Sequence, residues 1–108
     1  MDEAKTAGEF FERLRTRSAG GSLRTRGLRA TYRFDVDGAG SWLVRIDDGA
    51  VSVTESDAVA DCVLEASEET LLRVANGELH PMGAFLTGKI RVTGDVALAM
   101  RLRDLFAR

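Results

Sequence analysis

The chain has 108 residues, 44% hydrophobic and 30% charged, with a net charge of −2. That length predicts one domain over residues 1–108, large enough to bury about two-thirds of its unfolded surface without disulfides or metals. The sequence contains no run of 18 apolar residues, which excludes a conventional spanning helix. The acidic opening "MDEAKTAGEFFERL" does not read as a secretory signal, and "LFAR" is neither a peroxisomal nor a prenylation motif. A single cysteine, Cys62, excludes an internal disulfide and fits a reducing compartment, so a cytoplasmic location is expected.

Residues 4–17 place Ala4, Ala7, Phe10, Phe11 and Leu14 at helical spacing, and "SAGGS" at 18–22 ends that helix. The paired phenylalanines read either as core or as part of a lid or membrane-touching helix. "LRATYRFDV" alternates, with Leu28, Ala30, Tyr32, Phe34 and Val36 on one face. "SWLVRID" does the same with Trp42, Val44 and Ile46, and "DG" at 48–49 is a hairpin signal leading into Val51 and Val53. Residues 28–54 thus read as a three-stranded antiparallel meander with one wet face. "DCVLEA" is a further strand, with Cys62, Leu64 and Ala66 together.

Ser67 is a natural N-cap, followed by Glu68 and Glu69 in a first turn and by Leu71, Leu72, Val74 and Ala75 on an apolar side. Gly77 supplies the left-handed residue that closes this helix. "HPMGAFL" holds a short helix with Pro81 in its first turn. "KIRVT" is a strand, Gly94 breaks it, and Asp95 caps a final helix over 96–107. The element order is that of an α+β domain with helices over one sheet face.

"GAFLTGK" at 83–89 has the letters of a phosphate-binding loop but the wrong setting. Such a loop lies between a strand and a following helix, and it needs Ser or Thr after the lysine to reach magnesium. Here a helix precedes, a strand follows, and Ile90 holds the magnesium position, so Gly88 reads as a helix terminator. His80 has no second histidine nearby in sequence and no nucleophile motif, so no zinc site or hydrolase is expected and the residue reads as part of a surface loop. Neither a metal nor another cofactor is called for.

Residues 13–33 hold seven arginines and no acid, whereas residues 35–69 hold ten acids and one base. Such a basic segment either faces an anionic partner or is a solvated face of an arginine-rich chain. No exposed aromatics alternate with the arginines, so nucleic acid is not the expected partner. An anionic membrane or a phosphorylated ligand remains, with Arg13, Arg17, Arg24 and Arg26 as the contacts. The helices carry more apolar surface than one stripe needs: Met82, Phe85 and Leu86 in the short one, and Val96, Leu98, Ala99, Met100, Leu102, Leu105 and Phe106 in the last. This excess reads either as a filled core or as the lining of an apolar cavity.

Residues 77–106, "GELHPMGAFLTGKIRVTGDVALAMRLRDLF", resemble the C-terminal signature of sterol carrier protein type 2 domains. That signature is G-x-x-x-P and a short helix, then A-F-x-x-G-K-[LI]-[KR]-[VI]-x-G-[DN], then an apolar helix with A-[MLA]-x-L. Gly77, Pro81, Ala84, Phe85, Gly88, Lys89, Ile90, Gly94, Leu98, Ala99, Met100 and Leu102 fall into it in register. "YRFDVDGAGSWLVRIDDG" resembles the family's strand pair and "ADCVLEASEE" its strand-to-helix step, so the similarity covers about residues 8–107.

The resemblance implies a five-stranded, mixed but mainly antiparallel sheet covered on one face by helices, with a hydrophobic tunnel between them. It implies non-enzymatic binding or transfer of a fatty acid, fatty acyl-CoA, sterol or other lipid. The alternative is a protein-interaction or dimerisation module that kept the fold, and monomer and homodimer both stay open. The strand faces would give the floor, including Phe34 and Trp42. Phe10, Leu14 and Leu71 would join Met82, Phe85, Leu86, Leu98, Met100, Leu102, Leu105 and Phe106 as ligand-binding walls.

Ten to twelve buried methylenes would gain roughly 8–10 kcal/mol at about 0.8 each before association costs, enough for binding in about the micromolar range. An empty cavity of about 300 Å³ would cost roughly 7 kcal/mol. The ligand-free protein is therefore expected either to close its pocket or to hold a scavenged lipid.

Overall fold

The computed structural model describes residues 27–101 and 5–18, the side chains at 16–18 excepted. Of the expected "SAGGS" loop, Ser18 is instead the last residue of the first helix, and the rest of it, like the end of the final helix, lies outside these residues. The elements run α1 (Ala7–Ser18), β1 (Arg29–Asp37), β2 (Gly40–Asp47), β3 (Ala50–Glu55), β4 (Cys62–Ser67), α2 (Glu68–Ala75), α3 (Pro81–Leu86), β5 (Ile90–Gly94) and α4 (Val96–Arg101). The five strands form one sheet in the order β3-β2-β1-β4-β5. All neighbours pair antiparallel except β1 and β4, which are parallel. The architecture is α+β with a mixed sheet, as the resemblance implied.

The meander forms as its alternation predicts. Asp48 at φ 49° and Gly49 at φ 94° make the two-residue β2–β3 turn, with both central residues in the left-handed region that suits the strand twist. Register then aligns apolar side chains in rows on the helix-covered face. Val53, Val44, Tyr32 and Cys62 form one row, and Trp42, Phe34, Leu64 and Val92 the next. A third row holds Val36, Ala66 and Ile90.

Placing β4 beside β1 requires the chain to leave the β3 edge and cross to the other side of the sheet. Residues 56–61 make this crossing on the wet face. Arg33, which alternation turns to that face, donates from Nη1 to the carbonyls of Asp57 at 3.2 Å and Ala58 at 3.3 Å. Asp61 closes the crossing. Its carboxylate accepts from the Thr31 N–H at 2.9 Å and the Thr31 hydroxyl at 3.1 Å, and its own N–H donates to Thr31 Oγ1 at 3.0 Å. The Asp61 carbonyl accepts from the Asp95 N–H at 3.1 Å, which ties the end of β5 to the same point.

The helices are bounded as their caps dictate. Thr6 Oγ1 accepts from the Glu9 N–H at the start of α1, and Ser67 Oγ accepts from the Thr70 N–H at 3.1 Å at the start of α2. Helix α3 ends with the Gly88 N–H on the Phe85 carbonyl at 3.1 Å and the Lys89 N–H on the Ala84 carbonyl at 2.8 Å. That pair of bonds needs a left-handed residue between, and Gly88 has φ 78°. Helix α2 ends the same way through Gly77.

Helix α1 packs across β2 and β3. Phe11 is buried between Trp42, stacked at 4.8 Å, and Phe34 at 5.3 Å. Phe10 is buried too, so core packing accounts for the phenylalanine pair. The Ala7 N–H donates to Glu68 Oε2 at 2.9 Å, which joins the start of α1 to α2.

Gly94 sits in a close backbone approach. It has φ 95°, and a Cβ there would sit 2.5 Å from the Asp61 carbonyl oxygen. Gly94→Ala is predicted to destabilise the fold by at least about 2 kcal/mol through strain and lost contact at the crossing. Urea denaturation checks this, and an unchanged midpoint would contradict it.

Candidate functional site

The helix-covered face divides into two unequal halves. Under α1 it is filled by Ala7, Phe10, Phe11 and Leu14 against Trp42, Val44, Ile46 and Val53, all buried. Beyond Phe34 the floor continues as Val36, Leu64, Ala66, Ile90 and Val92, covered by α2, α3 and α4. Here the roof does not reach the floor, and a cavity of about 80 Å³ remains. Leu71 and Val74 line it from α2, Met82 and Phe85 from α3, and Val96, Ala99 and Met100 from α4.

Among the described residues, two polar ones border this cavity, Asp35 and His80. Asp35 contributes backbone, because strand alternation sends its carboxylate to the wet face. There it accepts from Arg33 Nε at 3.0 Å, Arg33 Nη2 at 3.1 Å and Ser41 Oγ at 2.8 Å. Burial alone would raise the Asp35 carboxyl, but the hydrogen bonds from Arg33 and Ser41 and the Arg33 charge outweigh it and hold the group below its ordinary value. His80 is the N-cap of α3, its Nδ1 accepting from the Met82 N–H at 3.2 Å.

The expected ligand-binding residues separate accordingly. Phe34, Leu71, Met82, Phe85 and Met100 line the cavity. Phe10, Leu14 and Trp42 are buried in the filled half and do not border it. Leu98 packs against the core, and its carbonyl accepts from the buried Tyr32 hydroxyl at 2.8 Å. Leu86 is corrected: it is 75% exposed, because α3 turns Ala84 inward and Leu86 falls on the outer side of its last turn. Leu102, Leu105 and Phe106 lie outside the described residues.

Of the expected anion contacts, Arg13 pairs with Glu9 at 2.6 Å one turn away. The Arg17 side chain, Arg24 and Arg26 lie outside the described residues. The expected ligand set omitted Val36, Ala66, Val74, Val96 and Ala99, although alternation and helical spacing put each beside a residue it contained. It also omitted His80, for which no sequence pattern gave a signal.

Helix α4 is the loosest part of the roof. No residue of Val96–Arg101 is buried, and Val96 and Met100 are 48% and 41% exposed. It is held by Leu98 and Ala99 packing, by the Asp95 cap on the Ala97 and Leu98 N–H groups, and by the Tyr32 hydroxyl. Among the described residues no helix is long and apolar enough to cross a membrane.

The geometry defines an α+β domain with an apolar cavity between its helices and one end of its sheet. A model of the SCP-2 sterol transfer family matches residues 11–107. The chain belongs to that family. It is 38% identical over 66 residues to sterol carrier protein 2 of Oryctolagus cuniculus, a match covering 60% of this chain and 12% of the rabbit protein. The chain thus corresponds to about 12% of that relative's length.

The fold matches the solution structure of sterol carrier protein domain 2 of Helicoverpa armigera with a TM-score of 0.74 and 28% identity, covering 91% of this chain and 83% of that one. It also matches the fold of palmitated SCP2L2 from Aedes aegypti, with a TM-score of 0.78, 20% identity and coverage of 95% and 96%.

Two buried acids beneath α4 make the fold sensitive to alkali. Burial raises the Cys62 thiol from 9.0 to about 11, with the Asp95 and Asp61 charges adding to it. Burial, then Cys62, raises the Tyr32 hydroxyl from 10.0 to about 12 against a lowering by Arg101. Above pH about 9 the unfolded chain releases protons that the folded chain retains, so stability falls as pH rises. The thermal midpoint is predicted to drop from about pH 9 upward, and less steeply in Cys62→Ala. A midpoint flat to about pH 11 would contradict this account.

Proposed function

We propose that this chain is a non-catalytic carrier of a single hydrophobic molecule, held between α2–α4 and the floor made by β1, β4 and β5. One observation carries the reading: the helix–sheet interface is filled under α1 but left hollow, with an apolar lining, under α2–α4. Membership of the SCP-2 sterol transfer family supports it, as does the fold shared with a palmitated domain. Phe34, Leu64, Leu71, Met82, Phe85 and Ala99 are the ligand contacts in this reading.

The void is small for that role. At 80 Å³ it is about half of the ~150 Å³ that admits a benzene ring, so an acyl chain enters only as the pocket widens. Widening to several times that volume is offset by the ligand, at about 0.8 kcal/mol per buried methylene. Helix α4 is the element that yields in this proposal, since it buries least. The basic segment carrying Arg13, Arg17, Arg24 and Arg26 would face anionic lipid during loading and release.

Titration with a fluorescent fatty acid tests the reading, with dissociation constants of about micromolar order expected. Ala99→Leu fills the void from α4 with a good helix former. It is predicted to keep or raise the melting temperature while weakening fatty-acid binding at least about tenfold. Unchanged affinity in a folded Ala99→Leu variant would place the ligand elsewhere.

A further inference from the structure

Beyond Met1 the chain has two methionines, and both border the cavity, Met82 from α3 and Met100 from α4. Val96, Ala99 and Met100 share one face of α4 by helical spacing, and all three line the space. Met100 is at the same time 41% exposed, so it stands where the cavity meets solvent. Met82 is half-buried, and the one thiol, that of Cys62, is fully buried. Asp35 and His80 apart, every described residue bordering the cavity is apolar. A thioether suits such a lining, whereas a strongly polar group would stand in it without a partner.

We propose that Met100 is an oxidation site through which hydroperoxides control this cavity. The reaction is oxygen transfer. The Met100 sulfur attacks one peroxide oxygen, the O–O bond breaks and an S–O bond forms. The sulfur loses two electrons and becomes a sulfoxide, and the peroxide gains them and leaves as water or an alcohol. The S–O group is a strong acceptor on a side chain that was apolar, and it turns to water rather than stay against the lining. Helix α4 has no buried residue to resist, so its cavity face is drawn outward with Met100. The roof loosens and the apolar molecule is released. This rests on the carrier reading above and adds to it a regulation of the same site.

The test treats the full chain with hydrogen peroxide and follows sulfoxide formation at each methionine by peptide mass spectrometry. Affinity for a dansyl-labelled fatty acid is read on the same samples, before and after treatment with methionine sulfoxide reductase. Met100→Leu removes the reactive sulfur but keeps an apolar side chain of similar volume and good helix propensity. Met100→Gln places an amide where the sulfoxide would be.

Met100 is predicted to convert at least about threefold faster than Met82. Once Met100 is sulfoxide, the parent is predicted to bind the probe at least about tenfold more weakly, and the reductase to restore its affinity. Met100→Leu, whatever its own starting affinity, is predicted to hold that value within about twofold through the same exposure. Met100→Gln is predicted to bind like the oxidised parent with no peroxide added. Faster conversion at Met82, undiminished affinity in the Met100 sulfoxide form, or an equal loss in Met100→Leu overturns the oxidation site while leaving the carrier reading intact. Failure of the untreated parent to bind the probe overturns both.

Discussion

The helix-covered face exists in its present form because β4 lies parallel to β1, and Asp61 anchors the start of that pairing. A three-stranded meander alone would end at β1, and α1 would suffice to cover it. The 56–61 crossing adds β4, and through it β5, on the far side of β1. Asp61 bonds to Thr31 through its carboxylate and its N–H, and to Asp95 through its carbonyl. It fixes the entry of β4, the exit of β5 and the start of α4 at one point. Gly94 has no side chain because the Asp61 carbonyl occupies the place a Cβ would take.

That enlargement creates more apolar floor than the large side chains of one helix can cover. Phe11, wedged between Trp42 and Phe34, fills the α1 half with rings. The other half is roofed by helices of eight, six and six described residues, set on smaller floor residues such as Ala66 and Val92. Helices α2 and α3 are short and end in glycine-terminated turns, so they do not cover the floor as one rigid layer, and a space remains where they meet α4. Phe34 belongs to both halves, packing on Phe11 on one side and bordering the cavity on the other. It is the partition that keeps the hollow half from collapsing into the filled one.

Much of this was legible in the sequence, because local chemistry dictates it. Strict alternation in residues 28–54 gave the meander and its inward face, and Asp48–Gly49 gave the turn. Ser67, Asp95, Gly77 and Gly88 gave helix ends that their hydrogen bonds bear out. The parallel β1–β4 pairing left no local trace. It depends on Arg33, Thr31 and Asp61 meeting across sequence separations of up to 30 residues. The division of apolar residues between filled and hollow halves was hidden for the same reason. Phe10 and Trp42 are as apolar as Phe85 and Met82, and only the placement of α1 over β2 and β3 separates them. Leu86 shows the limit of helical spacing in a six-residue helix, where one step of rotation decides between cavity and solvent.

In the proposed carrier function a ligand enters the half of the fold under α2–α4 and leaves the α1 half untouched. Methyl-resolved NMR of the full chain during titration with dodecanoate measures this directly. Large shifts are predicted at Leu64, Val92, Met82, Ala99 and Met100, with Leu14, Val44 and Val53 unmoved. Shifts concentrated at Leu14 and Val53, or spread evenly over both halves, would contradict it.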